Sequence, residues 1–132
     1  MTAAGVLDTS VFIAQESGRP LDIARIPDAV ATTVVTVAEL NAGVLVATNA
    51  ETRAQRLATL DAVADLAALP VDVNVAQMWA RMRVHLAETG RRVRINDLWI
   101  AAVAASNGLP VVTQDGDFDP LDGVAGLSII HV

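Results

Sequence analysis

The sequence predicts an α/β domain with a mostly parallel central sheet of about five strands and helices on both faces. Short β-leaning runs over 5–7, 30–35, 69–71, 110–113 and 127–132 alternate with longer segments whose apolar residues recur at helical spacing. Strands that alternate with helices in this way build parallel sheets covered on both sides. The length of 132 residues and an apolar fraction of 53% size the chain as one domain, 1–132, with a substantial core. No repeat, low-complexity tract or linker-like run divides it.

Each element has its own signals. The run Gly5-Val6-Leu7 is too short for a helix, and Asp8-Thr9-Ser10 after it suits a helix start. Pro27 marks the break before the second strand. Thr36 and Glu39 then have the spacing of a capping box, which predicts a helix carrying Val37, Leu40 and Val44. Leu57, Leu60 and Ala64 mark the next helix, and Pro70 the third strand. Val75, Met78, Trp79, Met82 and Leu86 form one apolar stripe that Gly90 terminates. Asn96 or Asp97 suits the cap of the alanine-rich helix of Leu98, Ala101, Ala102 and Ala105, in which Trp99 reads as a core aromatic. Asn107-Gly108-Leu109-Pro110 closes that helix before the fourth strand. Asp115-Gly116 is a turn dipeptide, and the chain finishes on an apolar run.

Composition removes several classes of function. Without cysteine there is neither a disulfide framework nor a thiolate metal site. All nine cations are arginine, so lysine-dependent mechanisms are excluded. The net charge of −6 opposes nonspecific adhesion to nucleic acid or membrane through the global field. Apolar runs such as 42–47 are far shorter than a membrane span, and Met1 to Ile13 lacks the basic opening of a secretory signal. A soluble, cytoplasmic protein is the expectation.

In a doubly wound parallel sheet, ligands bind beyond the carboxyl ends of the strands, where the strand order reverses. Acids stand there repeatedly: Asp8 after the first strand, Glu39 after the second, Asp115 and Asp117 after the fourth, and Asp97 at the start of the late helix. Each has an ordinary alternative as a cap, a first-turn charge or a turn residue. Gathered together, they would repel one another unless protons or cations neutralised them. Oxygen ligands without cysteine suit Mg²⁺ or Mn²⁺, and Mg²⁺ engages phosphate oxygens with its remaining positions. Phosphate chemistry follows.

These residues resemble the PIN-domain family, and within it the VapC-like ribonuclease toxins of type II toxin–antitoxin modules. The resemblance rests on Leu7-Asp8-Thr9-Ser10, Val37-Ala38-Glu39-Leu40, Asn96-Asp97-Leu98-Trp99-Ile100-Ala101-Ala102 and Val112-Thr113-Gln114-Asp115-Gly116-Asp117-Phe118, in that order over nearly the whole chain. It implies a PIN-like three-layer fold with Asp8, Glu39, Asp97 and Asp115 as the catalytic, metal-binding cluster, assisted by Asp117 and supported by the Thr113 hydroxyl. It further implies a metal-dependent endoribonuclease acting on single-stranded or loop RNA, a homodimer, and a cognate antitoxin that blocks the site.

Hydrolysis of a phosphodiester needs an oriented water and stabilisation of the scissile phosphate, which divalent ions supply. Asp8, Asp97 and Asp115 are expected to hold an ion, with Glu39 and Asp117 orienting water or holding a second. His85 and His131 lie outside these motifs. Setting aside the five candidate acids leaves ten acids against nine arginines, so most of the net charge belongs to the site. Over 81–96 five arginines, including Arg91, Arg92 and Arg94, face only Glu88 and form a candidate RNA-binding patch. Small residues at Ala42, Gly43 and 103–105 would allow close helix packing or a dimer contact. Phosphoacceptor folds fail for want of lysine, and no G-x-G-x-x-G follows the first strand. The rival that remains is a non-catalytic PIN-like module that binds RNA or protein.

Overall fold

The computed structural model describes residues 4–132 and contains five parallel strands in one sheet. In chain order the elements are β1 (Ala4–Leu7), α1 (Thr9–Ser17), β2 (Ala29–Thr33), α2 (Val34–Leu45), α3 (Ala50–Val63), β3 (Ala68–Leu69), α4 (Val73–Thr89), α5 (Ile95–Ser106), β4 (Val111–Thr113) and β5 (Ile129–His131). The strand order is β3-β2-β1-β4-β5, and every pairing is parallel. From β1 the chain builds outward through β2 and β3, then returns to lay β4 against the other side of β1. The reversal between β1 and β4 opens a crevice at their carboxyl ends.

The two-residue period of the strands divides the core between the two faces of the sheet. Val6, Val111 and Ile129 join a cluster with Val75, Met82 and Leu86 of α4, Leu98, Ile100 and Ala101 of α5, and Phe118, Leu121 and Leu127. Their neighbours Leu7, Val112 and Ile130 join the opposite cluster with Val11 and Phe12 of α1, Leu40 of α2 and Val63 of α3. Gly5 is required in β1 because a Cβ there would stand 2.9 Å from Val112 Cγ2 and 3.1 Å from Pro27 Cγ. Trp79 and Trp99 stack with ring centroids 5.0 Å apart and pack against the first cluster, so Trp99 is the core aromatic expected. Val103 and Ala104 are wholly buried in this chain's own core. They serve helix packing and are not available to a second copy.

Helix boundaries follow the caps. Gly90 ends α4 in the left-handed region at φ 66°, where glycine meets no Cβ penalty. The second strand is shorter than expected: Val34 and Val35 are helical, because Thr33 rather than Thr36 is the cap, its side chain accepting from the Thr36 amide at 3.1 Å. The capping box of Thr36 and Glu39 is therefore not formed, which releases the Glu39 carboxylate. Likewise α5 is preceded by Arg94, with no side-chain cap from Asn96 or Asp97. No described helix is long and apolar enough to cross a membrane.

Candidate active site

At the β1–β4 crevice a hollow of about 210 Å³ is lined by Asp8, Thr9, Ser10, Ile13, Arg19, Glu39, Arg94, Asp97, Asp115 and Asp117. All five acids singled out from the sequence thus share one cavity, brought there by four different elements.

Asp8 leaves the end of β1 and is only 3% exposed. It occupies the cap position of α1 but makes no capping hydrogen bond. Its Oδ1 instead accepts from the Ser10 hydroxyl at 2.7 Å. Ser10 Oγ also lies 3.2 Å from Thr113 Oγ1 and accepts from the Gln114 amide at 2.9 Å. A single hydroxyl thereby ties the end of β1 to the end of β4. Thr113 is fully buried, and its Oγ1 lies 3.4 Å from Asp115 Oδ1. The amide of Asp117 donates to that same Oδ1 at 3.1 Å, folding the loop back on its own acid.

Glu39 projects from α2 and accepts from the Thr9 hydroxyl at 2.7 Å. Thr9 Oγ1 is also 3.1 Å from the buried Thr36 Oγ1, so α1 and α2 meet through hydroxyls. Asp97 stands in the first turn of α5, where the helix dipole favours an anion. Arg94, just before that helix, lines the hollow with it. Arg91 and Arg92 do not. They line a different depression, with Arg83. His85 and His131 stay away from the acids, and His131 pairs with Asp119 at 3.0 Å.

The electrostatics record the crowding. Burial is the main force raising Asp8 from 3.8 to about 7, with Asp115 and Asp97 adding to it and the Ser10 and Thr113 hydroxyls opposing it. Asp97 is raised to about 6, again chiefly by burial, then by the charges of Glu39, Asp115 and Asp117, with Arg94 opposing. The site is short of positive charge. Among the described residues no three His, Asp or Glu side chains stand together closely enough to hold a metal ion as they are placed. The donors are all hard oxygens, and two of them, Asp8 and Asp97, are held towards their neutral forms by burial first and by neighbouring carboxylates second. That chemistry fits a divalent cation of the Mg²⁺ or Mn²⁺ kind.

Three contributors escaped the sequence reading: Ser10, Thr9 and Arg19. Ser10 stood in an Asp-x-Ser pattern at a strand end, a spacing that lets a hydroxyl reach back to the acid two residues before it. Thr9 stands in the same motif, but its link to Glu39 depends on α2, and nothing local marks Arg19.

Known proteins are similar to this chain in sequence and fold. The PIN domain profile matches residues 5–124. The chain is 72% identical over 130 residues to Ribonuclease VapC5 of Mycobacterium tuberculosis (strain ATCC 25618 / H37Rv), spanning 98% of this chain and 96% of that protein. Ribonuclease VapC4 of the same strain is 39% identical over 127 residues, spanning 92% and 94%. The crystal structure of VapBC-5, a member of the VapBC family of toxin–antitoxin systems from Mycobacterium tuberculosis, matches with a TM-score of 0.93 at 69% identity, covering 98% of this chain and 99% of that one. On sequence and fold, the chain belongs to the PIN-domain family, within its VapC branch.

Proposed function

We propose that this chain is a ribonuclease toxin of a toxin–antitoxin pair, hydrolysing phosphodiester bonds of single-stranded or loop RNA in the cytoplasm. The observation that carries this reading is the convergence of Asp8, Glu39, Asp97, Asp115 and Asp117 on one hollow at the sheet's switch point. The ribonuclease names of the similar proteins, and the toxin–antitoxin assembly of the similar structure, support it.

Asp8, Asp97 and Asp115 would hold Mg²⁺ or Mn²⁺, which when bound supplies charge stabilisation for the scissile phosphate and a more acidic water. The protein's own groups do the rest. Ser10 and Thr113 keep Asp8 and Asp115 aimed into the hollow. Glu39, oriented by Thr9, accepts a hydrogen bond from the attacking water, and Asp117 borders the same space. Arg94 and Arg19 supply guanidinium donors for the non-bridging phosphate oxygens. Small unpaired loops are the accessible substrates, because their backbone can enter a shallow crevice without melting a duplex.

The reading includes a homodimer and an antitoxin that covers the site. Beside the acids, an apolar groove of about 300 Å³ bordered by Ile13, Leu40 and Val46 offers such a partner a surface continuous with Glu39.

The test is cleavage of a mixed RNA pool by the purified chain with Mg²⁺ or Mn²⁺, against EDTA and an Asp97→Asn control. Metal-dependent cutting that the variant loses is the expected result. A folded chain that cuts nothing with either ion would sink the reading.

A further inference from the structure

Nine arginines carry all the fixed positive charge of the side chains, yet among the described residues none forms an ion pair with a carboxylate. Arg53 and Arg56 donate to backbone carbonyls near their own helix. Arg83, Arg91 and Arg92 have no acceptor among the described residues. All three are exposed, and they line one depression of about 380 Å³ whose other walls are Leu86, Val93, Ile95 and Leu98. No acid and no aromatic ring lines it.

Local structure explains the grouping. Gly90 ends α4 in the left-handed conformation and turns the chain sharply, so Arg91 and Arg92 leave the turn beside the last helical residues. Arg83 lies two turns back along α4 and faces the same space. The first turn of α5 then separates this depression from the acid hollow: Arg94 and Asp97 line the hollow, while Ile95 and Leu98 line the depression. The two sites adjoin through one helix turn and carry opposite charge.

We propose that Arg83, Arg91 and Arg92 form a second, non-catalytic subsite that holds backbone phosphates of the RNA substrate beyond the bond being cut. The identity of the polyanion rests on the ribonuclease reading. A chain of net charge −6 with an acidic reaction site repels RNA as a whole, so retention of a long strand requires a local cationic surface. Guanidinium groups with free donors suit phosphate oxygens bidentately. Without an aromatic ring the depression offers no stacking platform, so it grips the strand irrespective of base.

The experiment is anisotropy of labelled poly(U) and poly(A) oligonucleotides with the full chain in EDTA, over a salt series. The Arg83→Gln/Arg91→Gln/Arg92→Gln variant is compared with the parent. Single-strand binding loses about 0.7 in the slope of log K against log salt for each phosphate contact removed, so the slope should become shallower by about 2, equally for both RNAs. Lysine at the same three positions should restore the slope, which a packing defect would not allow. An unchanged slope overturns the proposal. So does poly-glutamate binding as tightly as poly(U) with the same arginine dependence, which would assign the depression to an acidic protein. Binding is read without turnover: a chain that holds poly(U) through these arginines but cuts no RNA would support this subsite and defeat only the ribonuclease reading.

Discussion

On one side of the acid hollow, Asp8 is 3% exposed and its carboxylate is fixed by Ser10, which also contacts Thr113 and the Gln114 amide. On the other side, Asp97 is half-buried on the first turn of α5 with no side-chain hydrogen bond among the described residues; burial raises it most, followed by the charges of Glu39, Asp115 and Asp117 against Arg94. Hydrogen bonds between two strand ends hold the first acid in place before any cation arrives. The second is free to respond to whatever ion or phosphate enters. A rigid ligand paired with an adjustable one gives a site whose position is set by the sheet and whose charge is completed by its contents.

The largest expected effect is common to both sides. Asp8→Asn and Asp97→Asn should each lower kcat by at least about 10³-fold, equivalent to about 4 kcal/mol of transition-state stabilisation. Stability should separate them. Metal-free melts at pH 8 should show Asp8→Asn raising Tm more than Asp97→Asn, because it removes the more deeply buried charge. A fall in Tm for Asp8→Asn would instead mean that the carboxylate's hydrogen bond from Ser10 outweighs the cost of burying its charge.

Next in size is the pH dependence of the metal-free protein. Asp8 takes up its proton more readily folded than unfolded, so its contribution to stability is complete below 3.8 and is lost as pH rises through about 7. Over that window the parent should lose on the order of 4 kcal/mol from this group at most, since one unit is worth about 1.36 kcal/mol. Asp97 adds a smaller loss ending near 6. Thermal melts from pH 4 to 8 should therefore slope downward in the parent and more gently in Asp8→Asn. Mg²⁺ should raise Tm more at pH 8 than at pH 5, where protons compete for the same oxygens.

Ser10→Ala comes third. It strips Asp8 of its hydroxyl partner and leaves the Gln114 amide without an acceptor, at a cost of about 1–3 kcal/mol in stability. Cleavage should fall by about 10–100-fold, the usual toll of losing a group that orients a metal ligand. Because the Ser10 hydroxyl opposes the rise of Asp8, the downward slope of Tm with pH should also shift to higher pH.

That the two sides differ could not be read from the chain, although the acids themselves could. Strand runs at 5–7 and 110–113 and the apolar stripes of α4 and α5 show clearly, because burial on both faces leaves a strong pattern in the residues. The motifs at Asp8, Asp97 and Asp115 show as well, since each sits at a strand end or a helix start, whereas Glu39 falls in the second turn of α2, one turn later than its capping-box spacing suggests. Caps were harder: Thr33 and Thr36 are equally good capping residues, and only the length of β2 against β1 and β3 decides for Thr33. Proximity in sequence groups Arg91, Arg92 and Arg94, whereas the turn at Gly90 and the start of α5 send Arg94 to one cavity and Arg91 and Arg92 to another. Contacts such as Thr9 with Glu39 span 30 residues and leave no local trace.

Thr9→Val should have the smallest effect, and its size decides whether the asymmetry is real. Valine keeps the shape of threonine and removes the hydroxyl that donates to the half-buried Glu39 Oε1 and lies 3.1 Å from Thr36 Oγ1. A hydrogen bond of this kind contributes about 0.5–1.5 kcal/mol, which predicts a loss in kcat of about two- to tenfold with KM and Tm close to the parent. Glu39 keeps access to water, so the unpaired carboxylate finds a replacement partner, as Asp8 cannot. If steady-state kinetics show Thr9→Val as damaging as Ser10→Ala, Glu39 is held as firmly as Asp8, and the hollow is rigid all round.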